Sequence, residues 1–443
     1  MEILRRLKKD AVTRNKFLAT ITILFLLLIG YRIPLPGINP DYLSGVLSAL
    51  TDTGVGGVLN MLTGSSLSQM SVFALSITPL ITASILLQLL SVVVPTLEAM
   101  SKDGSVGKKK MENLTFVLGA IIAIIESLSL AIGFGRRGLF VTYTWWMVLY
   151  ATVVWTLGAC FLIWIGQFIT NKLIGNGTSL ILMFNILTTL PQDIAKIFNS
   201  LAGSAEEWVK AVVVVAMAIV ICLVFAYVVV LNSAEKRIAI TNSAKSGMRM
   251  SSANNNDMVL KLNMGGVMPI IFASSIISLP VIFAQLIGVE EGSVWATIVG
   301  CFNQNNWFNL DKPIYSLGVL LFIPLTFAFS YFYSMISFNA KDIADNLRKS
   351  GSIINGIRPG QPTADYLQHQ ARSMLWIGTT MLLLIALLPT VISGVFEISG
   401  LSFGGTTIII IVSVVLEMKN TLVAQTSSVA YKSLIRKNRR NAV

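Results

Sequence analysis

An all-α polytopic membrane protein, with ten transmembrane helices in two inverted five-helix halves, is the fold predicted for this chain, and three observations predict it. Of its 443 residues 54% are hydrophobic and only 12% charged, about half the charged share of a soluble domain. Ten apolar runs of near-spanning length follow one another along the chain. Basic residues gather in alternate connections between those runs.

A window of spanning length places the runs at 17–33, 71–91, 113–133, 145–166, 178–191, 209–231, 267–288, 314–337, 373–393 and 405–424. The first leads into Arg32-Ile-Pro-Leu-Pro-Gly37 without a small-residue cleavage site, so it reads as a retained span rather than a removed signal. The second is preceded by an aborted start. Gly54 to Gly64 is apolar but too short to cross, Ser65-Ser-Leu-Ser-Gln69 interrupts it, and the full run begins at Ser71. Backbone that stops at membrane depth survives only when buried in protein or lining a watery cavity. A cavity with a short segment inside it is therefore expected. The third run carries Glu126 near its middle, where a charge is costly enough to face the bundle interior, either as a polar helix contact or lining a gate. The fifth is the shortest; it carries Asn185 and begins after Gly175-Asn176-Gly177, with Asn176 as a helix cap. In the tenth, Glu417 and Lys419 sit toward one end, where snorkelling is cheap.

With the N-terminus placed in the cytoplasm, 27 of the 33 Lys and Arg residues fall on that side, and both termini share it. The other six are Arg32, Arg136, Arg137, Lys196, Lys210 and Lys312. Because five is odd, two successive five-span halves must run in opposite directions across the membrane. The halves are 1–191 and 209–424, joined by an external hinge at 192–208 and followed by a basic cytoplasmic tail at 425–443. The first and fourth connections of each half match in length; the third connections, 134–144 and 338–372, do not.

Several chemistries are excluded by what is missing. His369 is the single histidine, and Cys160, Cys222 and Cys301 are scattered without a pairing or zinc spacing. There is no HExxH and no second buried acid, so no enzyme and no cofactor are expected. No GxxxxGK[ST] is present to bind nucleotide. A solute carrier with an inverted repeat and a broken helix stands as the alternative, although coupled carriers rely on intramembrane charge that is scarce here. The cytoplasmic connections 232–266 and 338–372 are long and basic, carrying Lys236, Arg237, Lys245, Arg249 and Lys261 in one, and Arg348, Lys349 and the turn Gly356-Ile-Arg-Pro-Gly360 in the other. Such loops either set topology or attract an anionic partner.

Six strings in order give the chain a resemblance. They are Arg32-Ile-Pro-Leu-Pro-Gly-Ile38, Phe73-Ala-Leu-Ser-Ile-Thr-Pro-Leu-Ile-Thr-Ala-Ser-Ile85, Ile174-Gly-Asn-Gly177, Leu262-Asn-Met-Gly-Gly-Val-Met-Pro-Ile-Ile-Phe-Ala-Ser-Ser-Ile276, Phe338-Asn-Ala-Lys-Asp-Ile-Ala-Asp-Asn-Leu-Arg-Lys-Ser-Gly351 with the Arg358 turn, and Phe403-Gly-Gly-Thr406. Over essentially its full length the chain resembles the SecY family, the central subunit of the bacterial protein-conducting channel.

The resemblance implies a passive, gated channel that passes unfolded secretory proteins and releases transmembrane segments sideways into lipid. It implies a central pore between the halves, closed by an apolar ring at Ile77, Ile81, Thr178, Leu182, Ile271 and Ile410, with Thr178 departing from the usual aliphatic residue. An apolar constriction resists ions by dewetting. The short segment becomes a re-entrant plug helix carrying Val55, Val58, Leu59, Asn60, Met61 and Leu62. A lateral gate is implied at Thr82, Ser84, Glu126, Ser274 and Ser275, with Glu126 standing where relatives carry a neutral amide. Contact with the motor ATPase SecA and with the ribosome and its RNA is implied for Lys236, Arg237, Lys245, Arg249, Arg348, Lys349 and Arg358, while Asn232 replaces an acidic residue usual near that loop. SecE-like and SecG-like membrane subunits, preproteins and the lipid of the bacterial cytoplasmic membrane complete the implied partners. An accessory paralogue for dedicated cargo is a further form of the same reading.

Overall fold

The structure, a computed structural model, describes residues 11–39, 66–67, 69–136, 138–202, 207–242, 257–287, 294–302, 307, 313–395 and 407–423. These form two compact units, one from the described residues of Met1–Ile197 and Val414–Val443, the other from those of Phe198–Ile398 and Gly404–Ser413. Six described helices are long and apolar enough to cross a membrane.

The first unit begins with α1 (Ala11–Tyr31). The second apolar run differs from its expectation: a helix from Ser71 is expected, yet α2 spans Thr78–Val93, Ser71 bridges to Pro34 and residues 72–77 are turns. The reason is local. Ser76 has φ of +51°, which interrupts the helix, and Pro79 sits in the first turn of α2, where a missing N–H is harmless. Pro95 ends α2, because the residue before a proline is pushed to extended backbone, as Val94 is. The short α3 (Pro95–Lys102) follows, then α4 (Gly104–Gly135), which at 32 residues is about 48 Å long and exceeds the expected run at its basic end.

The long α5 (Trp145–Lys172) carries the unit's core. Val148, Ala151, Trp155, Gly158, Ala159, Leu162, Ile163, Gly166 and Ile169 recur at helical spacing on its buried face. Of these, Val148, Ala151, Trp155 and Ala159 pack with Ala123 and Ala131 of α4 and with Leu35, Met70, Ala74 and Leu75. Small residues allow close approach, and the Ser127 and Thr156 hydroxyls meet at 2.9 Å between α4 and α5. The next helix, α6 (Gly177–Ala202), runs through Pro191, where the fifth apolar run was expected to stop. A proline removes one N–H and the helix continues on both sides of it.

The second unit contains α7 (Glu207–Ser233), α8 (Met268–Ile287), α9 (Val294–Phe302), α10 (Leu317–Ser337, entered through a 3-10 turn), α11 (Ala340–Lys349) and α12 (Gln361–Val395). A final helix, 407–423, divides between the units at Ser413. The two long basic connections have structure of their own. Strands β1 (Glu235–Ile238) and β3 (Met258–Lys261) pair antiparallel within the first connection. Strand β2 (Ile240–Asn242) pairs with β4 (Ser352–Ile354) of the second connection, Ile240 facing Ile354. Ile238, Leu260, Ala340, Ile354, Leu367 and Met374 close a small core between these strands, α11 and the start of α12.

Candidate functional site

The junction at 66–67 and 69–77, which leads into α2, is tied by hydrogen bonds to several segments of the first unit. Leu35 donates its N–H to the Met70 carbonyl at 3.1 Å and Val72 donates to Ile33 at 3.1 Å, so the segment after α1 pairs with it like a strand. The Trp155 indole N–H donates to the Ser71 carbonyl at 3.1 Å, and the Ser66 hydroxyl to the Phe73 carbonyl at 2.9 Å. Glycines provide the room: a β-carbon at Gly158 would lie 2.3 Å from the Val72 carbonyl oxygen, and one at Gly30 would lie 2.2 Å from the Phe73 ring. On its 69–77 side this irregular backbone is buried or half-buried in protein, while Ile33 and Pro34 opposite it are exposed. This accounts for two of the six strings, Arg32 to Ile38 and Phe73 to Ile85, as the two sides of one joint.

At the end of the junction sits Ser76, completely buried and left-handed. Its hydroxyl accepts from the Asn185 side-chain amide at 2.8 Å and meets the Tyr31 hydroxyl at 3.4 Å. Tyr31, Ser76 and Asn185 are each at most 3% exposed. Sequence reasoning assigned no role to this trio or to Trp155. The available signal was Asn185 in the middle of an apolar run and the polar Ser76 inside another.

The ring candidates divide between the units. Ile77 directly precedes α2 and is 1% exposed; its carbonyl accepts from the Ile81 N–H at 3.2 Å, which puts the two residues one turn apart. Ile81 is half-buried. On α6, Leu182 is buried and Thr178 half-buried. The Thr178 hydroxyl donates to the Asn176 side-chain oxygen at 2.7 Å, and its methyl faces Gly166 of α5, so its polar atom is already partnered. The same turn explains Ile174-Gly-Asn-Gly177. Gly175 has φ of +87°, and a β-carbon on Gly177 would lie 2.0 Å from the Gly166 carbonyl oxygen. In the second unit Ile271 is half-buried on α8 and Ile410 buried on the helix 407–423. The plug candidates Val55, Val58, Leu59, Asn60, Met61 and Leu62 lie outside the described residues.

Among the lateral-gate candidates, Thr82 of α2 donates to the Thr78 carbonyl at 3.0 Å, and Ser274 of α8 donates to the Ile270 carbonyl. Back-bonding of this kind satisfies a hydroxyl on an apolar helix surface without a partner helix. Ser84 and Glu126 are half-buried and Ser275 is exposed. Glu126 precedes Ser127, the residue that joins α4 to α5.

The candidate partner-contact cations that the structure describes lie on and beside the small strands of the second unit. Lys236 on β1 donates to the Gln370 side chain of α12, and Arg237 forms an ion pair with Glu235 at 2.7 Å. That hydrogen bond and charge raise the Arg237 pKa, keeping it positive. Arg348 and Lys349 end α11, where cations suit the helix dipole, and Asn339 caps its start by accepting from the Lys341 and Asp342 N–H groups. Arg358 is exposed between Gly356 and Gly360, both at positive φ, and its carbonyl accepts from the Thr363 hydroxyl at 2.8 Å. The tip thus leads straight into α12. Lys245 and Arg249 lie outside the described residues.

The SecY family model matches residues 71–419 of this chain. The protein translocase subunit SecY of Streptomyces galbus is 35% identical over 444 residues, spanning 96% of this chain and 97% of that protein. The chain belongs to the SecY family. Its fold is similar to a solved structure described as that of a protein conducting channel, with a TM-score of 0.65 at 18% identity over 92% of this chain and 91% of that one. It is similar also to Sec61 in the canine ribosome–channel complex from the endoplasmic reticulum, with a TM-score of 0.62 at 17% identity, covering 92% of this chain and 91% of that one.

Like other SecY proteins, the chain is thus a multi-pass membrane protein. The SecY match begins at Ser71, inside the buried junction, and runs past both strand-bearing connections. Trp145 and Trp146 open α5 as exposed residues, as aromatic side chains do at a membrane–water boundary.

Proposed function

We propose that this chain is the channel-forming subunit through which unfolded secretory proteins cross the bacterial cytoplasmic membrane and from which transmembrane segments leave sideways into lipid. The observation that carries this reading is the near-full-length identity with a protein translocase subunit. The six long helices, the shorter apolar helices Thr78–Ser91, Gly177–Pro191 and Met268–Ile277, and the helix 407–423 supply the ten crossings of the reading. The bias of basic residues supports cytoplasmic termini. The halves 1–191 and 209–424 meet around the pore, with a hinge over 192–208.

Ile77, Ile81, Leu182, Ile271 and Ile410, with Thr178 as the odd member, form the constriction that holds back ions. The segment containing Val55 to Leu62 is the plug above it, and Thr82, Ser84, Glu126, Ser274 and Ser275 border the lateral exit. Hydroxyls that bond within their own helix can exchange partners at little net cost, which suits a seam that must open and reclose. The energy for movement comes from partners. SecA and the ribosome dock on Lys236, Arg237, Lys245, Arg249, Arg348, Lys349 and Arg358, and SecE-like and SecG-like subunits brace the channel. The tip residue Arg358 leads directly into the 35-residue α12, so force applied there passes into a membrane helix.

Reconstitution with a SecE-like subunit and SecA tests the reading. ATP-dependent protection of a secretory precursor from external protease is expected. A correctly inserted complex that protects no precursor would overturn it.

A further inference from the structure

Serine is a costly tenant of the position before Ile77. An L side chain enters the left-handed region at a penalty of roughly tenfold or more, and glycine would occupy the same φ of +51° freely. What serine adds is a hydroxyl, and that hydroxyl is where three segments meet. Asn185 of α6 donates to it at 2.8 Å, Tyr31 at the end of α1 meets it at 3.4 Å, and Ser76 itself opens the path to α2. The Ser76 N–H is bonded to the Phe73 carbonyl at 2.8 Å, which closes the turn from the other side. The next carbonyl along, that of Ile77, accepts from Leu80 and Ile81 and so sets where the helix begins.

We propose that Asn185 and Tyr31 are positioning residues for the constriction: through the Ser76 hydroxyl they hold the start of α2 in a strained turn that seats Ile77 and Ile81, and slackening this clasp lets the idle channel conduct ions. The inference rests on the channel reading above and adds to it a named restraint on the resting state. The remainder of the junction is held by bonds independent of Ser76, namely Trp155 to Ser71, Leu35 to Met70 and Ser66 to Phe73. Loss of the clasp therefore frees the start of α2 while leaving the joint in place.

The test uses the complete complex in proteoliposomes, with ion leak read in the absence of motor and precursor, and export read with both. Ser76→Gly and Asn185→Ala should each raise idle leak roughly tenfold, the effect of one buried hydrogen bond, while export continues. Ser76→Ala should leak at least as much as Ser76→Gly, because it keeps the strain and loses the hold. Combining Ser76→Gly with Asn185→Ala should leak less than the product of the two singles, since the Asn185 to Ser76 bond is common to both. Tyr31→Phe deletes a single oxygen, keeps the ring packed on Phe73, and should raise leak two- to threefold; it decides the matter if the other variants fail to assemble. Wild-type leak in variants that export normally, or a double variant whose leak is the product of the singles, refutes the clasp. A wild-type complex that exports no precursor refutes the channel reading instead.

Discussion

Gly158→Ala is the smallest change that attacks the joint beneath α2. The new β-carbon would lie 2.3 Å from the Val72 carbonyl oxygen, 3.1 Å from the Phe73 ring and 3.2 Å from the Val72 carbonyl carbon. The first contact is about 1 Å too short for carbon against oxygen, and the obstacle is backbone, so α5 and the junction must separate by about that much. The Trp155 to Ser71 hydrogen bond, 3.1 Å long, would stretch beyond bonding distance and leave the buried Trp155 indole N–H unpaired, while the Ser71 carbonyl keeps the Ala74 N–H at 2.9 Å. Overpacking and an unpaired buried group each cost about 1–3 kcal/mol and share one displacement here, so about 3 kcal/mol is expected in all. The melting midpoint of the purified complex should fall by roughly 3 °C. Gly119→Ala is the internal control. Its β-carbon would sit 3.5 Å from Leu80, an ordinary contact, so it should be neutral or gain slightly from helix propensity. Equal melting of the two variants would show that close approach at Gly158 does not hold the joint.

Three further outcomes are expected. Arg358→Glu should abolish motor-driven export without lowering the amount of inserted protein, because the side chain is exposed and the turn is held by backbone; normal export by this variant contradicts its docking role. Thr178→Val should lower stability by about 0.5–1.5 kcal/mol, the worth of its bond to Asn176, and leave idle ion leak unchanged, since that hydroxyl is already occupied. A leak that falls on this substitution would instead place the hydroxyl at the constriction. Glu126→Gln should relax the dependence of export on a functional signal sequence, and an unaltered dependence, measured with matched precursors, removes Glu126 from the gate.

Much of the architecture was legible because lipid imposes it. Apolar runs of spanning length at 113–133, 145–166, 209–231, 267–288 and 314–337 each became helix over nearly their full length, since backbone in an apolar medium must bond internally. Boundaries were less legible where a local feature competed with hydropathy. Ser71 to Ile77 is apolar enough to read as helix, yet Ser76 turns left-handed because Asn185, more than a hundred residues away in sequence, waits for its hydroxyl. Pro191 reads as a stop and is only a missing donor. The basic connections read as loops because short strands of three or four residues carry too little pattern to be seen, and β2 finds its partner in a different connection.

By itself the sequence determined the class, the family and the charge asymmetry, all of which follow from local composition and from short strings in order. Only the tertiary structure decided how those strings are used. Arg32 to Ile38 and Phe73 to Ile85 became one joint, and the Thr178 hydroxyl was turned toward Asn176. Arg358 was mounted on a strand platform at the head of α12. The physical reason is that hydropathy is a property of each residue, whereas a buried hydroxyl, carbonyl or glycine is defined by the partner that reaches it, and that partner is chosen by the fold.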